Sequence, residues 1–158
     1  MEITDQSAVA LQESFEYGTI VPLDSSVSMV VVDTSVVLAV LLLEPERTAI
    51  LKRTRGLRVL AAPSLGWEVG NALVALVRRR RADYPAVARA WRSFGRIPLT
   101  YAHCNIAASL RLATEAGLYA YDAYVIETAR AAGAPLMTLD KKQRTVAAER
   151  GVDILEIP

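Results

Sequence analysis

The sequence predicts an α/β domain in which a mostly parallel central sheet is flanked by helices on both faces, in three layers. Two observations carry that expectation. From residue 29 onward, short runs rich in Val, Leu and Ile alternate with longer stretches of helical length. The first short run, Met29-Val-Val-Val, is β-branched and free of polar residues, as in a parallel strand buried on both faces. A third observation gives the architecture a use. Asp33, Glu68, Asp122 and Asp140 each stand where a strand-like run ends or a helix begins.

After the strand at 29–32, residues 35–44 form a helix-length apolar stretch. Residues 46–55 read as a second helix, closed by Gly56 in the place favoured for a left-handed cap. A strand at 57–62 follows, and Pro63-Ser64 opens a long helix that ends in Arg78-Arg79-Arg80-Arg81, with Ser64 as its expected N-cap. Helices at 84–95 and 103–117 flank a short strand at 97–101. The remaining elements are a helix at 121–133, a strand at 135–139, a helix at 142–151 and a last strand at 153–157. No internal repeat or low-complexity tract interrupts this alternation.

With 158 residues, 53% of them hydrophobic, the chain suits one compact domain. A boundary is expected near residues 22–28, a polar stretch before the apolar run, which divides an acidic, weakly ordered extension at 1–28 from a domain at 29–158. The extension holds five acids and no base, so the net charge of +1 leaves +6 on residues 29–158. A basic body of that kind fits a polyanionic partner.

One Cys104 and one His103 exclude a disulfide framework and a structural zinc site of nitrogen and sulfur ligands. The run at 29–43 is interrupted by Asp33 and falls short of the about 20 apolar residues that a membrane span needs. No basic region or cleavage pattern marks an export signal, so the expected setting is cytoplasmic, with no membrane partner.

In parallel sheets, ligands bind beyond the carboxyl ends of the strands. Asp33 directly follows Val30-Val31-Val32, Asp140 directly follows Leu136-Met137-Thr138-Leu139, and Glu68 and Asp122 fall in the first turns of helices. Each acid alone has an ordinary explanation, since acids cap helices and complement the helix dipole. Jointly they sit in apolar surroundings, where carboxylates raise one another's pKa unless a cation compensates. Mg²⁺ or Mn²⁺, hard ions that prefer oxygen ligands, suit such a set, and metal-assisted phosphodiester hydrolysis suits such an ion. Ser35 and Thr138, and less so Thr34, are placed to hold the carboxylates by hydroxyl hydrogen bonds. A nucleophilic triad would have to rest on His103, at a predicted helix start.

These residues resemble the PIN-domain ribonucleases, above all the VapC-type toxins of type II toxin–antitoxin pairs. The resemblance runs from Met29-Val-Val-Val-Asp33-Thr-Ser through Glu68 in Trp-Glu-Val-Gly-Asn-Ala-Leu and Asp122 in Tyr-Asp-Ala-Tyr-Val-Ile-Glu-Thr-Ala to Asp140 in Leu-Met-Thr-Leu-Asp. The four short motifs keep the family's order and elements. The resemblance implies a PIN-domain fold and Mg²⁺ or Mn²⁺ held by Asp33, Glu68, Asp122 and Asp140. It further implies cleavage of single-stranded or looped RNA to a 5′-phosphate and a 3′-hydroxyl, a homodimer and a cognate antitoxin. Two departures stand out: Gln143 occupies a place where members often carry an aromatic residue, and the acidic extension is unusual.

The other readings are a PIN-type RNA-binding or complex-forming module with little catalysis, and a phosphatase or receiver domain. Against the first stands the presence of all four acids. Against the second, Asp33-Thr34-Ser35 lacks the Asp-x-Asp of the dehalogenase-type phosphatases. Lys141, Lys142 and Arg144, beside Asp140, are the expected contacts to the RNA backbone, with Arg78 and Arg79 as further candidates. Trp67 and Trp91 are expected in the core or at a dimer interface.

Overall fold

The computed structural model describes residues 28–158. Its sheet contains β1 (Met29–Val32), β2 (Arg58–Ala61), β3 (Leu99–Tyr101) and β4 (Leu136–Met137), in the order β3-β2-β1-β4 with every pair parallel. Seven helices lie among the described residues: α1 (Thr34–Leu41), α2 (Arg47–Thr54), α3 (Leu65–Arg78), α4 (Tyr84–Phe94), α5 (Ile106–Ala116), α6 (Ala120–Ala132) and α7 (Lys141–Glu149). This is the α/β/α architecture expected from the alternation of runs. The expected extension falls outside the described residues except for Ser28, whose carbonyl accepts from the Arg58 amide at 2.9 Å.

The period of a strand explains the layers. Val31 points into one core, with Leu60, Ile126, Leu136 and Val146, while Val30 and Val32 point into the other, with Val36, Leu65, Val69 and Met137. Both faces of β1 are therefore covered, which is why its sequence is uniformly apolar. Leu136, on the two-residue β4, is 0% exposed. Leu136→Ala removes this contact and leaves a cavity, so thermal unfolding should show a loss of about 2–5 kcal/mol; a change under about 1 kcal/mol would mean that the site refills.

Three expectations need correction. Residues 153–157 form no strand but one bridge, Ile154 opposite Leu136. Beyond it the Glu156 carbonyl accepts from Arg53 Nε at 3.1 Å, so the pairing does not continue. Ser64 precedes α3 as expected, yet its backbone is helical and its hydroxyl does not cap. The helix expected from His103 starts at Ile106, where Asn105 accepts from the Ala108 amide at 3.0 Å. Of the two places expected for Trp67 and Trp91, the core is excluded, since they are 61% and 47% exposed. The expected cap at Gly56 does adopt a positive φ of 77°.

A carboxylate site beyond the carboxyl ends of β1 and β4

Parallel pairing of Val32 with Met137 brings the ends of β1 and β4 side by side. Asp33 then becomes the N-cap of α1 and Asp140 the N-cap of α7. The two turns are laced together by a pair of hydroxyls. Ser35 Oγ donates to Asp33 Oδ2 at 2.6 Å and accepts from the Leu139 amide at 3.0 Å. Thr138 Oγ1 donates to the same Oδ2 at 3.3 Å and accepts from the Asp140 amide at 3.0 Å. With the Ser35 amide also donating to Oδ2 at 3.0 Å, all three hydrogen bonds fall on one oxygen of Asp33.

Oδ1 of Asp33 accepts no hydrogen bond among the described residues and is not sealed from solvent. The residue is nevertheless only 6% exposed. A buried carboxylate fixed through one oxygen and open at the other suits a cation as its remaining partner.

Glu68 approaches from the first turn of α3, held by two hydroxyls. Ser64 Oγ donates to Oε1 at 2.7 Å and Thr34 Oγ1 donates to Oε2 at 3.0 Å. Asp122 enters from the first turn of α6, its Oδ1 3.4 Å from Gln143 Nε2. Asp140 accepts the Gln143 amide at 2.8 Å. Four helix N-termini thus surround the four carboxylates, and their partial positive charge complements them.

The carboxylates sense one another. Burial, first, lifts the Glu68 carboxyl above the usual range; the Ser64 and Thr34 hydroxyls oppose this, and the charges of Asp33 and Asp122 add to it. Burial likewise raises Asp122, reinforced by Asp33 and Asp140 and offset by a Tyr119 backbone hydrogen bond and by Lys142. Yet no three of the described His, Cys, Asp or Glu side chains are arranged to hold one ion. The two observations concern different things: mutual repulsion reaches farther than ligation. The arrangement lacks a closed protein cage, and its donors are all carboxylates. Such a set fits Mg²⁺ or Mn²⁺, which retain several waters and use few protein ligands.

The expected basic residues have diverged. Lys142 Nζ donates to the Gly117 carbonyl, at the left-handed turn that closes α5, and this keeps its charge near Asp122. Arg144 donates to the Thr138 carbonyl at 3.3 Å and pairs with Glu156 at 3.1 Å, tying the chain end to the β4 turn. Lys141 is exposed, as are Arg78 and Arg79 at the far end of α3. His103 is exposed and takes no part in the carboxylate network.

Three contributors escaped the sequence reading or were ranked low: Thr34, Ser64 and Gln143. Ser64 stands four residues before Glu68, one helical turn, a spacing that could have suggested the contact. Gln143 lies three residues after the N-cap Asp140, where a glutamine commonly returns to the cap amide. Here it is 0% exposed and turns toward Asp122 instead, with its Oε1 buried and unpartnered.

Comparison with known proteins agrees with this fold. A solved structure similar to the chain is the crystal structure of PAE2754 from Pyrobaculum aerophilum, 26% identical with a TM-score of 0.60, covering 76% of this chain and 86% of that one. No curated protein matches significantly. Among the described residues no helix is long and apolar enough to cross a membrane. The family model described as PIN domain matches residues 30–149. Members of that family are generally nucleases, usually dependent on divalent metal. The chain belongs to the PIN domain family.

Proposed function

We propose that this domain is a Mg²⁺- or Mn²⁺-dependent endoribonuclease that acts as the toxin of a VapC-type toxin–antitoxin pair. The observation that carries the reading is Asp33, whose Oδ2 takes three hydrogen bonds while Oδ1 stays open, and whose charge is felt by both Glu68 and Asp122. Asp33, Asp122 and Asp140 are the residues that would hold the cation, and Glu68, already bound by two hydroxyls, completes the negative field. When bound, a divalent cation activates water and neutralises charge that builds on the phosphate.

Each residue then has a defined task. Ser35 and Thr138 fix the orientation of Asp33 and couple it to the backbone leading to Asp140. Thr34 and Ser64 hold Glu68 in place, and burial raises its carboxyl above the usual range. Lys142 brings positive charge beside Asp122, where it can meet a phosphate. None of these tasks needs a covalent nucleophile.

Within the same reading, a second copy of the chain covers part of the outward face of α3, where Trp67, Val74 and Val77 are exposed. The cognate antitoxin silences the acidic site with a basic side chain, as charge complementarity recommends.

The test is to incubate the purified chain with 5′-labelled structured RNA and Mg²⁺ or Mn²⁺. Products ending in 5′-phosphate and 3′-hydroxyl, abolished by EDTA, are expected. Cleavage that survives EDTA, or products with 2′,3′-cyclic phosphate ends, would contradict a hydrolysis in which water is the nucleophile.

A further inference from the structure

The positive charge of the described domain is not spread over its surface. Residues 78–96 hold seven arginines and one acid, Asp83, for a net +6. That equals the whole surplus of residues 29–158, so the rest of the domain is electrically neutral. The segment is one helical hairpin: the end of α3, a turn, and α4 with Gly95 and Arg96 behind it. All seven arginines are exposed. None of them has an ion-pair partner among the described residues, where the ion pairs involve Arg130, Arg144 and Arg150.

Two features make this more than a solvated helix end. The first is composition. Every cation in the hairpin is arginine, the side chain that grips phosphate with two parallel hydrogen bonds and stacks on flat groups. Among these arginines stand Tyr84 and Trp91, which are 76% and 47% exposed. Arginine with accessible aromatic rings is the combination that binds single-stranded nucleic acid, phosphate to guanidinium and base to ring.

The second feature is position. A Cβ at Gly66 would meet the Tyr101 hydroxyl at 3.8 Å and the Phe94 ring at 3.9 Å. Trp91 stacks on Phe94 with centroids 5.1 Å apart. The end of α4 is therefore clamped against the start of α3, where Glu68 enters the carboxylate site. From Glu68 to Arg78 the helix rises about 15 Å. The arginines thus run from Arg92 and Arg96, at the end of α4 that packs on the first turn of α3, along the hairpin to the four at 78–81.

We propose that the arginine hairpin formed by the end of α3 and by α4 is an RNA-binding surface that holds the substrate strand leading into the carboxylate site. The proposal rests on the reading of the site as a ribonuclease and adds where the strand is held. It also explains the division of charge: an anionic catalytic centre repels phosphate, and the hairpin supplies the attraction. A second copy of the chain fits this surface poorly, since a symmetric interface would set arginines against arginines.

The test measures binding of a fluorescein-labelled single-stranded RNA to the full chain in EDTA, from about 50 to 200 mM KCl. Arg89→Gln/Arg92→Gln/Arg96→Gln should weaken binding about tenfold or more and reduce the slope of log K against log [KCl] by about 2, the loss of three phosphate contacts. A charge-matched control, Lys52→Gln/Arg55→Gln/Arg111→Gln, changes exposed cations elsewhere and should keep the wild-type slope. Equal slopes in the hairpin variant and the wild type, or an equal loss in the control, would overturn the proposal. So would RNA binding retained while the hairpin variant alone changes sedimentation mass, which would make the surface a self-interface. Displacement of RNA by poly-glutamate at equal charge concentration would point to an acidic peptide instead. Wild-type cleavage is scored separately: its absence would fail the nuclease reading, while the slopes still decide whether the hairpin binds RNA.

Discussion

Asp33→Asn lowers the rate of RNA cleavage by about a thousandfold while leaving the fold intact. Asparagine caps a helix as well as aspartate does, so α1 keeps its start. Its amide oxygen can occupy the place of Oδ2, where the Ser35 amide, Ser35 Oγ and Thr138 Oγ1 all donate. The amide nitrogen then takes the place of Oδ1, replacing an anionic acceptor with a neutral donor. Asp33→Ala would confound the result, because it also removes the cap, at about 1 kcal/mol, and takes the acceptor from the Ser35 hydroxyl and the buried Thr138 hydroxyl. Steady-state cleavage alongside a circular-dichroism melt separates the two effects. A rate within threefold of wild type at an unchanged melting temperature would remove Asp33 from the chemistry.

The second large effect has the opposite sign for stability. In EDTA, Asp122→Asn stabilises the domain and inactivates it. Burial, with the charges of Asp33 and Asp140, raises the Asp122 carboxyl in the folded state, and burial also raises Glu68. The folded chain therefore holds more protons than the unfolded one as these groups titrate. Their contribution to stability is fully present below the ordinary carboxylate range and is lost as pH rises through the raised folded values. At neutral pH the metal-free protein carries that cost, and removing one charge relieves it. The expected gain is about 0.5–1 kcal/mol after solvent screening, or about 1–4 °C in melting temperature for a domain of this size. The gain should vanish at about pH 2, well below the ordinary aspartate value of about 3.9, where the acid is protonated in both states. It should also shrink when Mn²⁺ is added, because a bound cation does the same work in the wild type. A melting temperature lowered by the substitution in EDTA at neutral pH would show that the acids do not repel one another.

Much of the fold was legible because its signals are local. The valines before Asp33 announced a strand buried on both faces, and caps and glycines placed most helix ends within a few residues. The failures arose where tertiary contacts outweighed local pattern. Residues 153–157 read as a strand, yet Arg53 and Arg144 draw Glu156 away from pairing. Ser64 read as a cap, yet a half-buried carboxylate four residues on is a stronger partner for its hydroxyl than a solvated amide. Trp67 and Trp91 were expected in the core or at a dimer interface, and their exposure excludes the first of these places.

For the site, sequence placed all four acids, since strand ends and first helical turns are visible in the pattern. Their partners were less visible. Ser35 and Thr138 lie next to Asp33 and Asp140 in sequence and could be named, whereas Thr34 reaches Glu68 across 34 positions. Gln143 shows the same limit: its contact with Asp122 depends on how α6 and α7 meet. The basic residues divide likewise. The arginine run at 78–81 was plain in sequence, but its continuity with Arg89, Arg92 and Arg96 needed the hairpin.

The central claim is that the four acids form one site for a divalent cation, and direct titration of Mn²⁺ into the metal-free chain tests it. Isothermal calorimetry, with the electron paramagnetic resonance of free Mn²⁺ as a second measure, should show saturable binding in the micromolar to millimolar range. Asp33→Asn and Asp140→Asn should each weaken it about 10- to 100-fold, while Asp153→Asn, outside the site, should leave it unchanged. Mn²⁺ binding unaltered by either site substitution, or none detectable in the wild type at millimolar concentration, would contradict the account.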